Sequence, residues 1–368
     1  MNEDIDDITN YDFVLPVELV AETPAMRRDG SRLLLACTET KEHRIAPFEE
    51  LLGQLNSNDL LVFNNSRVVP ARVFAHKTTG GRVELLFLDV LGSESPTRWV
   101  DEKGRIQVTA MFRTSKSLEV GAEIFLSDKT ALRVVSAEHG HATLELDAPE
   151  GAYALLARLG ELPLPPYIVK KRVSSQTTYE HDEERYQTIY AAHPGSVAAP
   201  TAGLHFSTEV FDALDRMGVR RAYVTLEVGP GTFQPVKASR LSEHVMHSER
   251  YYVDSELRGA IEETRRRGGR VIAVGTTSVR VLESEAKLAA PFEPGTRHST
   301  LFLSPGDELK VVDAMITNFH LPRSTLLALV SAFAGLDFIK TLYAEAIAEK
   351  MHFYSYGDAM FLTREALK

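Results

Sequence analysis

The chain has 368 residues, 44% hydrophobic and 25% charged, with a formal net charge of −10. That length exceeds what one hydrophobic core usually fills, so two domains are expected, one inserted in the other. A single cysteine, Cys37, excludes an intrachain disulfide, a multi-cysteine zinc site and a three-cysteine iron–sulfur cluster. No apolar run approaches the roughly 20 residues of a membrane span. The N-terminal acids Glu3, Asp4, Asp6 and Asp7 are unlike a secretory signal, so a cytoplasmic protein is expected. The negative charge argues against wholesale nucleic-acid coating but leaves room for a local basic face. Lys170-Lys171-Arg172, Arg220-Arg221 and Arg265 to Arg270 are the runs that offer one, and each alone also reads as a solvated surface run.

In chain order, Tyr11 to Pro16 reads as extended. A polar turn from Arg27 to Arg32 leads into the strand-like Leu33 to Cys37. Phe48, Leu51, Leu52 and Leu55 carry helical spacing over Pro47 to Leu55, ended by Asn56 to Asp59. Leu60 to Phe63 is a buried strand that runs into Asn64-Asn65-Ser66-Arg67, as parallel α/β sheets place binding groups at strand ends. From Arg72 to Ala148 short β-rich runs follow one another: Val83 to Val90, Arg105 to Met111, Glu123 to Leu126, Ala131 to Val135 and Ala142 to Leu146. Gly80-Gly81, Gly92-Ser93, Gly121 and Gly140 punctuate them, which predicts a small antiparallel barrel or sandwich.

Gly151 to Leu159 returns to helix. Leu162 to Tyr167 is a proline-stiffened connector, and Lys170 to Thr178 is read as a surface loop. Three strand–loop–helix units follow. Ala222 to Val228 delivers Gly229 to Phe233. Arg270 to Val274 delivers Gly275 to Ser278, with a helix from Val279 to Leu288. Ala314 to Phe319 delivers His320 to Ser324, with a helix over Thr325 to Ala334. The predicted class is therefore mixed α+β or α/β. Residues 1–72 and 149–368 form the large α/β catalytic domain, and residues 73–148 form an inserted β-barrel domain.

Several stretches carry groups suited to chemistry. Pro194 to Ser207 is rich in small residues and holds His205, which fits either a pocket floor or a tight turn into a helix from Ser207. Gly275-Thr276-Thr277-Ser278-Val279-Arg280 has the makings of an anion seat at a helix start, and of a plain N-cap by Thr277 or Ser278. The glycines at 229 and 231 lack the third glycine of a dinucleotide fingerprint and the lysine of a P-loop, which argues against nicotinamide or ATP chemistry. Glu243-His244-Val245-Met246-His247-Ser248-Glu249 would put two imidazoles on one face of a helix. Proton transfer, a metal and a structural role are all open for them. Asn64, Arg67, Tyr186, Gln187, Asn318 and His320 are strand-end polar groups that serve turns and caps as readily as ligands. Ser196 is not in a nucleophile elbow.

The runs Phe63 to Arg72, Tyr186 to Thr188 with Pro194 to Phe206, and Gly231 to Val236 belong together. So do His244 to Glu249, Val274 to Arg280, Ile316 to Pro322 and Tyr354 to Ala359. In this order they resemble the S-adenosylmethionine:tRNA ribosyltransferase-isomerases of queuosine biosynthesis, from about Tyr11 to Leu362. The resemblance implies a β-barrel inserted into an α/β domain. It also implies S-adenosylmethionine as ribosyl donor and 7-aminomethyl-7-deazaguanine at the tRNA wobble position as acceptor. Epoxyqueuosine, adenine and methionine are the implied products. The donor is a substrate, so no separate cofactor and no metal are expected, and a monomer is the expected state. Three departures stand out: Glu227 where the family commonly has histidine, Arg250 where an aromatic residue is usual, and a loosely matching Met111 to Lys116.

The expected chemistry starts with a base that takes a proton from the carbon beside the sulfonium, and adenine leaves more readily when protonated. His205, His244 and His247 are the expected proton carriers, oriented by Glu243 or Glu249. Thr276, Thr277, Ser278 and Arg280 are expected to hold an anionic group, and Asn64, Arg67, Tyr186 and Gln187 to read a base. Ser196, Thr201, Gly203, Gly231, Thr232, Asn318 and His320 complete the expected pocket. Two rival readings, an RNA-binding module without turnover and a metal-dependent hydrolase built on His244 and His247, make different predictions for adenine release.

Overall fold

A computed structural model describes residues 4–88, 106–147, 152–233 and 236–368, without the side chains at 152–153 and 232–233. The chain divides into two compact units. One comprises Met1–Ser66, Pro165–His193 and Ala199–Lys368; the other comprises Arg67–Leu164 and Pro194–Ala198.

The large unit is built on a nine-stranded mixed sheet. Its order is Gly295–Ser299, Glu249–Val253, Arg220–Leu226, Leu60–Asn64, Val271–Val274, Ala314–Asn318, Ala359–Thr363, Arg32–Cys37 and His43–Pro47. The four central strands from Arg220–Leu226 to Ala314–Asn318 run parallel. Their binding loops therefore leave from one end of the sheet, where open α/β sheets hold ligands. Leu60–Asn64, Val271–Val274 and Ala314–Asn318 are buried at every position, as expected of strands covered on both faces. The core on one face joins Leu33, Leu35, Phe48, Leu51, Phe63, Phe206 and Val210.

Two sequence expectations are corrected in this unit. Phe48–Gln54 is a 3-10 helix, not an α-helix. Its buried residues are Phe48, Leu51 and Gln54, spaced by three, which is the period of the tighter helix. Lys170 to Arg172 lie on the α-helix Pro166–Ser175, not in a loop. Pro166 opens that helix at a position where its missing N–H costs nothing, so the end of the proline connector is a helix start.

The second unit is a closed antiparallel barrel. Around it run His141–Leu146, Ile106–Thr114, Arg82–Phe87, Arg72–Lys77, Glu123–Leu126 and Ala131–Glu138. Alternating side chains fill the interior, as in Val83, Leu85 and Phe87 on one strand. The unit extends beyond residues 73–148, because Leu155 and Leu156 of the helix Ala152–Leu159 pack into the barrel core, as does Val197. The expected turn at Gly92-Ser93 and the ends of the runs at Val90 and Arg105 lie outside the described residues. No single helix among the described residues is long and apolar enough to cross a membrane.

Candidate active site

A cleft with about 630 Å³ of empty space opens where the parallel strands of the large unit end. Thr201 reaches it from the small-residue stretch, Thr276 and Thr277 from the start of the helix that follows Val271–Val274, Asn318 from the end of the strand Ala314–Asn318 and His320 from the loop after it. Tyr167, Tyr354 and Ser355 close another side, with the Tyr167 hydroxyl hydrogen-bonded to the Ser355 hydroxyl.

Asn318 is the hub of this wall. Its Oδ1 accepts from Thr201 Oγ1 at 2.9 Å, and its Nδ2 lies 3.1 Å from both the Tyr354 carbonyl and His205 Nε2. The carbonyl accepts only, so the amide nitrogen must face it, and the same nitrogen donates to His205 Nε2. His205 therefore carries its proton on Nδ1 and donates it to Ser31 Oγ at 2.8 Å. The ring is 4% exposed and stacks on Phe48 at 5.2 Å. Burial lowers its pKa to about 4. Both nitrogens of this expected proton carrier are thus engaged, one of them with Asn318. Tyr354, whose carbonyl completes the hub, has φ 73°, a conformation that costs a non-glycine residue about 1–2 kcal/mol.

His320 shares this neutrality. Its Nε2 pairs with Thr317 Oγ1 at 2.9 Å, and burial lowers its pKa to about 3. Both rings have folded-state pKa values below the ordinary 6.5, so the unfolded chain binds more protons between these limits. Their contribution to stability is complete above pH ~6.5 and is lost as pH falls toward 4 and 3. From pH 7 to pH 5 each costs about 2 kcal/mol. Urea unfolding at the two pH values should show that loss, and His205→Gln, which keeps an acceptor for Asn318, should remove about half of it.

The loop at Gly275 departs from expectation in an informative way. Gly275 is the N-cap of the helix Thr276–Glu285 with φ 88° and ψ 150°, and no side chain caps the helix. A glycine is needed at that φ, and it has no oxygen to offer the first-turn N–H groups. Ser278 is turned away, donating to the Val274 carbonyl at 2.9 Å, so it is neither cap nor anion ligand. Thr277 Oγ1 is buried without a hydrogen-bond partner. Uncapped N–H groups, the positive end of the helix dipole and this hydroxyl make the cleft's Gly275 end favourable to an anion.

Arg280 is not part of that seat. It is 5% exposed and ion-paired with Glu249, whose Oε1 also accepts from the Gly229 N–H at 3.2 Å. Glu249 is thereby corrected too, because it balances a buried guanidinium rather than orienting an imidazole. Glu243 is exposed and meets Ser239. Among the described residues neither carboxylate bonds to an imidazole. His244 and His247 lie in the loop between Leu241–Glu243 and Glu249–Val253, not on a helix. His244 is half-buried near Phe302, and its pKa is lowered by burial and by the nearby His247. His247 is exposed and covers Gly231, where a Cβ would lie 2.8 Å from its Cδ2.

The remaining expected site residues divide by what already occupies them. Asn64 is spent on structure. Its Nδ2 donates to the Leu226 carbonyl at 3.0 Å, and its Oδ1 accepts from the N–H groups of Leu226 and Ser66. It therefore clips two strand ends together instead of reading a base. Gly203 serves packing: an added Cβ would lie 1.8 Å from Tyr190 Oη. Tyr190 stacks on Phe211 and meets Phe63 edge-on, so Gly203→Ala is expected to cost about 1–3 kcal/mol, read from the urea midpoint. Tyr186 is fully buried against Tyr356, and the Gln187 carbonyl accepts from Arg28. Ser196 and Arg67 belong to the barrel unit, where the Ser196 carbonyl accepts from Val69 and Arg67 is exposed. The side chain of Thr232 lies outside those described.

Residues 8–362 match the model of a family described as queuosine biosynthesis protein. An S-adenosylmethionine:tRNA ribosyltransferase-isomerase from Thiobacillus denitrificans is 47% identical over 361 residues, 98% of each chain. Its namesake from Cupriavidus metallidurans is 47% identical over 364 residues, covering 97% of this chain and 98% of that one. The crystal structure of an S-adenosylmethionine tRNA ribosyltransferase from Thermotoga maritima aligns with TM-score 0.52 and 31% identity, covering 96% of this chain and 99% of that one. The chain belongs to the S-adenosylmethionine:tRNA ribosyltransferase-isomerase family.

Two of this ribosyltransferase-isomerase family member's departures prove to be partners. Arg250 Nη2 lies 2.6 Å and its Nε 3.0 Å from Glu227 Oε1, across neighbouring strands whose backbones also bond there. Neither change is isolated, since each supplies the charge the other needs. Sequence reading missed Tyr167, Ser31, Thr317, Tyr354 and Ser355 as site residues. A signal existed for Tyr354-Ser355, within a run already singled out by resemblance. None existed for Ser31 and Tyr167, which the fold alone brings to the wall.

Proposed function

We propose that the chain transfers and isomerises the ribosyl group of S-adenosylmethionine onto 7-aminomethyl-7-deazaguanine at the wobble position of a tRNA. Epoxyqueuosine-tRNA, adenine and methionine are the products. The observation that carries this reading is the family match from residue 8 to residue 362, which spans both compact units.

S-adenosylmethionine sits in the cleft at the strand ends of the large unit. Its methionine carboxylate lies against the uncapped helix start at Gly275, with Thr277 Oγ1 donating to it. Asn318, Thr201 and the Tyr354 carbonyl form a preorganised polar wall for the ribose and adenine, held in place by neutral His205. The small residues from Ala199 to Ala202 allow the donor close to backbone. Of the histidines, His244 and His247 remain the proton carriers, since neither ring is locked as His205 is. The protein acts as a cytoplasmic monomer and needs no further cofactor, because the donor is consumed.

Incubation with S-adenosylmethionine and precursor tRNA should release adenine only when both are present. His247→Ala should lower that release about 100-fold, in keeping with the loss of a general acid or base. His205→Gln should retain most of it with an unchanged pH profile between 6 and 8. Adenine release at the wild-type rate by His247→Ala with saturating tRNA would remove His247 from the chemistry.

A further inference from the structure

Beside the cleft, a small, partly open hollow is lined by Arg28, Arg185, Ser31, His205 and Tyr356, with no carboxylate among its lining residues. Its two guanidiniums differ from most others in the large unit, Arg220 being another without a carboxylate within 4 Å. Arg27, Arg172, Arg221, Arg265, Arg266, Arg267, Arg270 and Arg280 each have a carboxylate within 4 Å. Arg28 and Arg185 have none among the described residues, although both are half-buried. Arg28 donates only to the Gln187 and Glu184 carbonyls, and Arg185 only to those of Met26 and Ala25. Arg185 Nε is buried without any partner.

Neutral carbonyls fix the two groups in place without balancing their charge, and half-burying two neighbouring cations without a counter-ion is costly. Burial and the like charge of Arg185 accordingly lower the pKa of Arg28, while Glu184 pulls the other way from beyond salt-bridge distance. Most of the charge in the other basic runs is already paired. Arg172 is balanced by Asp182, Arg221 by Asp215, and the Arg265 to Arg270 run by Asp313, Glu263 and Asp59, whereas Lys170, Lys171 and Arg220 have no carboxylate within 4 Å among the described residues. A protein of net charge −10 that receives a polyanion must do so where its positive charge is not already spent.

We infer that Arg28 and Arg185 together form a seat for a backbone phosphate of the substrate tRNA, a site separate from the S-adenosylmethionine cleft. The inference rests on the proposed tRNA reaction. The guanidinium forks suit a phosphodiester's paired oxygens, and the anion supplies the charge that the carbonyls do not.

Titration of fluorescent precursor tRNA into wild type, Arg28→Gln, Arg185→Gln and the double variant, across a salt series, tests it. The double variant is expected to bind roughly tenfold more weakly, with the slope of log Kd against log salt reduced by about one. Its affinity for S-adenosylmethionine, from calorimetry, should stay within twofold of wild type. Arg28→Lys, which keeps charge without the fork, should fall between, and thermal melts establish that each variant is folded. Unchanged tRNA affinity and salt slope in a folded double variant would overturn the seat and leave the reaction standing. Weakened S-adenosylmethionine binding with unchanged tRNA binding would make the pair a carboxylate site instead, also overturning it. Failure of the wild type to bind tRNA at all would overturn both.

Discussion

Asn318→Ala is expected to reduce adenine release by at least ~100-fold and to lower stability by about 3–5 kcal/mol, because it leaves several buried polar groups unpaired at once. Thr201 loses its acceptor, and the Tyr354 carbonyl and His205 Nε2 lose their donor. Asn318→Asp separates the electrostatic role from simple packing. It keeps the shape but turns a donor into an acceptor, facing the Tyr354 carbonyl and the lone pair of His205. Relief comes only if His205 takes up a proton, so the variant should raise that ring's pKa above its wild-type value of about 4. The variant should therefore lose less stability than wild type as pH falls from 7 to 5. Urea unfolding at the two pH values, beside single-turnover adenine release, reads both effects. Equal pH dependence in wild type and Asn318→Asp would break the proposed link between the two residues.

Glu249→Ala is expected to destabilise the protein by about 3–5 kcal/mol, since it strands the Arg280 guanidinium in the interior. Arg280 already has Nε and Nη2 without partners, so Glu249 is its single counter-charge. The Gly229 N–H loses its acceptor in the same variant, which loosens the loop that carries Gly231 under His247. Arg280→Met with Glu249→Leu should recover part of the stability, because removing both charges is less costly than removing one. Adenine release should not recover with it if the Gly229 loop must be held for His247 to work. Recovery of activity alongside stability in the double variant would show that the pair acts through folding alone.

The strands of the large sheet were legible because parallel strands covered on both faces are continuous apolar runs, as in Leu60–Asn64 and Ala314–Asn318. The barrel was legible because its side chains alternate. The helix Pro166–Ser175 was not, since Lys170, Lys171 and Arg172 give it no clean apolar stripe and its proline start resembles the end of an extended connector. Site roles were harder to read for a different reason. Asn64 and Asn318 both end parallel strands and both look like ligands in sequence. One is consumed by the backbone of Leu226, while the other reaches across to Thr201, His205 and Tyr354. That difference depends on which chain segment lies opposite, which local sequence does not encode. Glu249 and Arg280 were each legible as polar groups near a site, but their mutual neutralisation is a tertiary fact across 31 residues.

The ribosyl group of S-adenosylmethionine, not its methyl group, is expected to end on the tRNA. Donor carbon-labelled throughout its ribose and deuterated on its methyl group tests this in one reaction with precursor tRNA, read by mass spectrometry of the wobble nucleoside. The expected nucleoside carries the ribose label and no deuterium, with deuterium recovered in free methionine and unlabelled adenine released in equal amount. Deuterium on the tRNA, or adenine release with no ribose label transferred, would contradict it.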